Sequence, residues 1–170
     1  MPTIAGAALL CAAVTWRIGT SLLLPPALAL TILGCLLATV DQTLHRLPHA
    51  LTLPGTLLIV ALLIPAAVRD PQSGLRALEA AAVSIAFYMV VAFTGAGAGD
   101  MKASAATGLV TGWIGWSALL AATVLSFLLM FTVAVTVLAT RRARRGDRIA
   151  AGIHVYGGAL LAVLLLGPGA

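Results

Sequence analysis

Two aspartates, Asp41 and Asp100, are the residues of this chain best suited to chemistry. Asp100 closes a glycine-rich stretch, Gly95-Ala-Gly97-Ala-Gly99-Asp100-Met-Lys102, and Asp41 sits just past an apolar segment. A carboxylate at membrane depth costs roughly 2.5–3.5 kcal/mol on insertion scales, so an acid in a lipid-embedded stretch is a functional-site candidate by default. The glycines let backbone approach backbone and permit a turn that residues with a Cβ resist. The two acids are 59 residues apart (100 − 41). Brought together in a poorly solvated site they could not both ionise cheaply, so one would hold a proton while the other stayed charged. Such a pair suits hydrolysis. The charged partner draws a proton from water, the water attacks a peptide carbonyl, and the protonated partner steadies the carbonyl oxygen and then assists the departing amine. Neither a metal nor a covalent nucleophile is required, no cofactor is expected, and the holder of the proton is a property of the coupled pair.

The elements that would carry these acids are membrane helices. Of 170 residues, 61% are hydrophobic and 9% charged, with mean hydropathy +1.10. A soluble domain of this length could not cover its surface with so few polar groups. Continuous apolar runs, without the alternation of a transmembrane barrel, predict an all-α polytopic membrane protein. The net charge of +5 then reads as loop charge beside anionic lipid, and no nucleic-acid partner is expected. Cys11 and Cys35 lie in apolar segments and read as packing residues, since CxxC zinc spacing is absent. With no basic residue before Arg17 and no clear cleavage site, the first helix is expected to be retained.

Apolar segments run near 3–16, 19–40, 51–68, 77–94, 103–140 and 151–167. As one helix, 103–140 would be about 57 Å long, nearly twice the hydrocarbon thickness, so it must fold back. Gly112-Trp113-Ile-Gly115-Trp116 is the expected turn, with glycines to break the helix and indoles suited to the interface. About seven transmembrane helices follow, within a range of six to eight. They form one domain over 1–170, with helices of 15–23 residues joined by turns of 5–10. At the start Pro25-Pro26 interrupts the second segment, and a single helix over 3–24 with Arg17 near its centre is the alternative.

Alternating turns place Arg46, Lys102, Arg141, Arg142, Arg144, Arg145 and Arg148 on one side, and Arg17, Arg69 and Arg76 on the other. Seven against three puts the first side in the cytoplasm by the positive-inside rule. Asp41 and Asp100 fall on that same side without having entered the count.

Two motifs then carry a family resemblance. Asp41-Gln-Thr-Leu-His-Arg46-Leu-Pro48-His-Ala-Leu-Thr52-Leu-Pro54 resembles the first aspartate motif of type IV prepilin peptidases: an aspartate, a basic patch, a Leu-Pro pair and a Leu-Thr-Leu-Pro helix start. Gly97-Ala-Gly99-Asp100-Met-Lys102 resembles their GxGDxK signature, followed by a small-residue helix (Ala103, Ala105, Ala106, Gly108, Gly112). Tyr156-Gly157-Gly158 is similar to the family's last helix, and the resemblance spans roughly 36–167. It implies an intramembrane aspartic endopeptidase with Asp41 and Asp100 as the catalytic pair, and Gly97, Gly99, Lys102, Arg46 and Pro48 supporting the active-site loops. Its substrates would be type IV prepilin or pseudopilin precursors, each with a short basic leader ending in glycine, cut at the cytoplasmic face of the inner membrane. Larger members also methylate the new N-terminus and carry an insertion with paired CxxC motifs. Only about 40 mostly apolar residues precede Asp41 here, which implies a peptidase without methyltransferase activity. His49 is a second departure, since Asn or Asp is commoner in the family after that proline.

Plainer readings stand beside these. Asp41 could cap the next helix, and Asp100 could pair with Lys102 or Arg46. Lys102 reads as an interface anchor or a partner to Asp100, His45 and His49 as solvated loop residues, and Glu79 as a first-turn acid suited to its helix dipole. The arginine run 141–148 reads as a topology determinant, and Gly108 and Gly112 as a close-packing GxxxG pair. Other intramembrane proteases fit less well. Lipoprotein signal peptidase motifs need asparagine, which this chain lacks; presenilin-like proteases pair GxGD with Tyr-Asp, whereas Val40 precedes Asp41; and the rhomboid GxSG serine is missing. A transporter-like protein using both acids for ion coupling is the non-enzymatic alternative, and it would place them near mid-bilayer.

Overall fold

The computed structural model describes residues 2–44, 49–93, 99–139 and 152–168. Every regular element among them is an α-helix: α1 (Pro2–Ile18), α2 (Leu24–Leu44), α3 (His49–Arg69), α4 (Pro71–Phe93), α5 (Gly99–Ile114), α6 (Trp116–Ala139) and α7 (Gly152–Leu166). The seven-helix all-α expectation holds. Among the described residues three helices are long and apolar enough to cross a membrane, over Leu51–Arg69, Pro71–Phe93 and Trp116–Ala139, and α1, α2 and α7 contribute shorter apolar stretches. Leu, Val and Phe side chains point outward along them, with Leu9, Phe93, Leu120 and Phe131 largely exposed. The interior mixes large apolar side chains such as Leu30, Leu37, Ile59 and Tyr156 with small and hydroxylated residues, the latter as expected where lipid is the solvent. Buried Thr31, Thr107, Thr111 and Ser126 donate to the carbonyls of Ala27, Ala103, Thr107 and Ala122 four residues back, which satisfies their hydroxyls without a partner helix.

The helix starts and stops follow local chemistry. Gly19, at φ +64°, ends α1 in the left-handed region and donates its N–H to Thr15 O at 2.9 Å. Pro25 and Pro26 fall in the first turn of α2, where a missing N–H costs nothing. The proline pair therefore opens the second helix at residue 24, later than its apolar segment suggested, and Arg17 lies in the last turn of α1.

Three expectations are corrected. Connections of 5–10 residues give way to single residues at Asp70 and Gly115. Asp70 caps α4 by accepting the Ser73 N–H at 3.2 Å, with Pro71 as the first helical residue. Helix α4 therefore begins at 71, ahead of its apolar stretch, and Glu79 lies in its third turn, not its first. At the α5–α6 turn Gly115 alone breaks the chain, at φ +154°, while Gly112 stays helical.

Helix α5, the least apolar, is the centre of the bundle. It packs against α2, α3, α4, α6 and α7, and Ala103, Ser104, Ala106, Thr107, Val110 and Thr111 are buried along it. Gly108 and Gly112 make the crossing with α4 possible. A Cβ on Gly108 would stand 2.8 Å from Ala81 Cα, and one on Gly112 would overlap the Ala80 methyl.

Candidate active site

Both acids belong to one end of the bundle. At the opposite end Arg17 donates to the carbonyls of Leu164 (Nε, 2.8 Å) and Leu165 (3.2 Å), tying the end of α1 to the end of α7. Arg76 of α4 likewise donates to Gly112 O (3.0 Å) and Trp113 O (2.7 Å) at the end of α5, and to Ser73 Oγ (2.9 Å). These guanidiniums answer the unpaired carbonyls and partial negative charge of helix C-termini. Helix α5 thus runs from the arginine end to Asp100. Helix α2, entered from the end of α1, starts at that same arginine end and carries Asp41 in its final turn. α2 and α5 pack against each other, and α7 packs against both.

Asp100 is 5% exposed in the first turn of α5, where the free N–H groups of a helix favour a negative charge. It opens onto a small pocket lined by Tyr88, Val91, Ser126, Phe127, Met130, His154 and Val155. The apolar wall is ordered by ring packing: Tyr88 stacks on Phe127 with centroids 6.2 Å apart, and Phe87 meets both edge-on at 5.4 and 6.0 Å. Tyr88 lies near enough to Ser126 and Asp100 to feel both groups. Ser126 Oγ donates to Ala122 O at 2.6 Å and lies 3.4 Å from Val155 O, which couples α6 to α7 beside the pocket. That contact needs Gly158, because a Cβ there would overlap Ser126 Oγ and come within 2.5 Å of Ala122 O. Two polar atoms on α7 are buried with no hydrogen-bond partner among the described residues, His154 Nδ1 at the pocket and the Tyr156 hydroxyl. Tyr156 is 1% exposed and its ring faces Gly34 of α2.

The sequence candidates divide accordingly. Asp100 and the backbone of Gly99 are in the described site. Asp41 is placed by backbone alone, and its side chain is outside what is described. Gly97, Arg46, Pro48 and His45 lie outside the described residues. Lys102 is half-buried on α5; two residues beyond Asp100, it leaves the helix on a different face. The backbone of Asp41 belongs to the last turn of α2. Sequence reasoning passed over Tyr88, Ser126 and His154. For His154 a signal existed: an imidazole in an apolar helix is a functional candidate on the same ground as the two acids.

A family model described as the type IV leader peptidase family matches residues 28–137, well over half of the chain. No curated protein and no solved structure matches it.

Proposed function

The chain belongs to the type IV leader peptidase family, and we propose that it is an aspartic endopeptidase using Asp41 and Asp100 as a water-activating pair. The observation that carries this reading is the burial of Asp100 in the first turn of α5, at the same end of the bundle as the turn of α2 that bears Asp41. A carboxyl group so far from water is costly to maintain without a task. One acid of the pair takes a proton from water as the water attacks the scissile carbonyl. The other donates a hydrogen bond to the developing oxyanion and then delivers its proton to the leaving amine.

The substrates in this reading are prepilin-like precursors with a short basic leader ending in glycine ahead of an apolar helix. Cleavage takes place at the cytoplasmic face of the inner membrane. The basic residues assigned to that end draw it inward. In this reading Gly97, Arg46 and Pro48 support the site together with Gly99 and Lys102 of the first turn of α5.

The test is co-expression with a precursor of this type and mapping of its new N-terminus by mass spectrometry. Asp41→Ala, Asp100→Ala and the two Asp→Asn variants are expected to accumulate in the membrane and leave the precursor uncut. Cleavage retained in the Asn variants removes the paired-acid mechanism.

A further inference from the structure

We propose that His154 is a substrate-binding residue whose Nδ1 hydrogen-bonds a backbone peptide group of the unwound precursor beside Asp100. The inference rests on the peptidase reading and adds a residue to it. His154 lies beyond the stretch matched by the family model.

Position comes first. His154 is in the first turn of α7 and lines the same small pocket as Asp100, together with residues from α4 and α6. A group bound there is within the immediate surroundings of that carboxylate. α7 also packs against α2 and α5, so it stands beside both acid-bearing helices.

The chemistry of the pocket is incomplete. Its polar members are Asp100, Ser126 and His154, with Tyr88 adding a hydroxyl to the aromatic wall. Ser126 has already placed its proton on Ala122 O. His154 Nδ1 is buried and has no hydrogen-bond partner among the described residues. A buried ring nitrogen left unpaired is destabilising, and such an atom in a native structure calls for an explanation. A neutral imidazole can donate or accept at Nδ1 according to its tautomer, so the atom can meet either a peptide carbonyl or a peptide N–H.

The occupant follows from what hydrolysis demands. A peptide bond wound in a helix has its carbonyl and N–H engaged and its carbonyl carbon shielded, so the chain must unwind to be attacked. Each peptide group freed in an apolar setting needs a new partner. Nδ1 supplies one. The Tyr88–Phe127 stack, Val91 and Met130 surround it with apolar surface suited to an adjoining hydrophobic side chain of the substrate.

The test uses the full chain in detergent and a synthetic precursor peptide with a basic leader, a terminal leader glycine and an apolar helix. KM and kcat are measured for wild type, His154→Ala, His154→Asn, His154→Gln and Asp100→Asn. Asn places its amide where Nδ1 stands, whereas Gln reaches the position of Nε2. His154→Ala is expected to raise KM about tenfold with a smaller change in kcat, the scale of one lost hydrogen bond. His154→Asn is expected to recover most of that loss and His154→Gln little of it. If His154→Ala does not accumulate, the Asn–Gln comparison decides alone. Equal KM across the series overturns the assignment, as does a KM raised equally by Asn and Ala, the pattern of a purely structural histidine. Cleavage retained by Asp100→Asn instead overturns the paired-acid reading, so the two failures are seen in different proteins.

Discussion

Gly108→Ala tests whether the α4–α5 crossing holds Asp100 in register. The added Cβ would stand 2.8 Å from Ala81 Cα, 2.8 Å from Ser84 Oγ and 3.1 Å from Ala80 O. Carbon atoms in good contact are about 3.5–4.0 Å apart, so the first of these is roughly 0.7 Å too close. Ala81 Cα and Ala80 O are backbone and cannot rotate away, so α4 and α5 must separate by about that much. Overpacking of this kind costs about 1–3 kcal/mol, which for a chain of this length lowers Tm by roughly 2–12 °C. Asp100 is eight residues, about 12 Å, along the same helix. A shift approaching 1 Å at a reacting group can cost up to about a hundredfold in rate, so kcat/KM for precursor cleavage is expected to fall by about ten- to a hundredfold in protein that still folds. Gly6→Ala is the internal control. Nothing lies within 4 Å of its added Cβ, and the helix gains about 0.5–1 kcal/mol from the better helix former. The assays are thermal unfolding in detergent and initial rates on the same preparations. If Gly108→Ala melts and cleaves like wild type, the crossing does not position Asp100 and the reasoning fails.

Two further outcomes concern the far end of the bundle. Arg76→Ala leaves the carbonyls of Gly112 and Trp113 without their donor and is expected to cost about 1–3 kcal/mol. Arg76→Lys should restore only part of it, because an ammonium lacks the planar fork; an unchanged Tm in Arg76→Ala refutes the cap. The Ser73 side-chain and backbone hydrogen bonds to Asp70, with Arg76 adding a smaller effect, hold its carboxyl below the usual aspartate value. A lowered native value means the cap is at full strength above the ordinary aspartate range and is lost as pH falls through the native one. The Tm difference between wild type and Asp70→Asn should therefore shrink as the pH is taken from about 7 to about 3; a difference that grows on acidification contradicts the capping role.

Local signals carried much of the architecture. Apolar runs longer than a bilayer needs, the break at Gly115 and the small residues of α5 all mark helix boundaries or contacts through their own chemistry. The start of α4 was not legible from hydropathy, since Pro71–Arg76 is too polar to extend an apolar segment and is helical because Asp70 and Pro71 begin a helix there. Gly112 carries two signals in sequence, a helix breaker beside Trp113 and one half of a GxxxG pair, and its fit against Ala80 and Ala77 decides for packing. Arg17 and Arg76 counted simply as loop charges, because their acceptors lie 147 and 36 residues away. The site divides in the same way. GxGD announces Asp100, but the company of Tyr88, Ser126 and His154 arises from four helices converging, and no spacing along the chain encodes that.

The Arg17 clasp also bears on biogenesis. Its acceptors are made 147 and 148 residues after Arg17 itself, so the clasp closes only once α7 has been synthesised. The same late arrival completes the pocket around Asp100. The clasp and the pocket thus depend on the docking of one and the same helix.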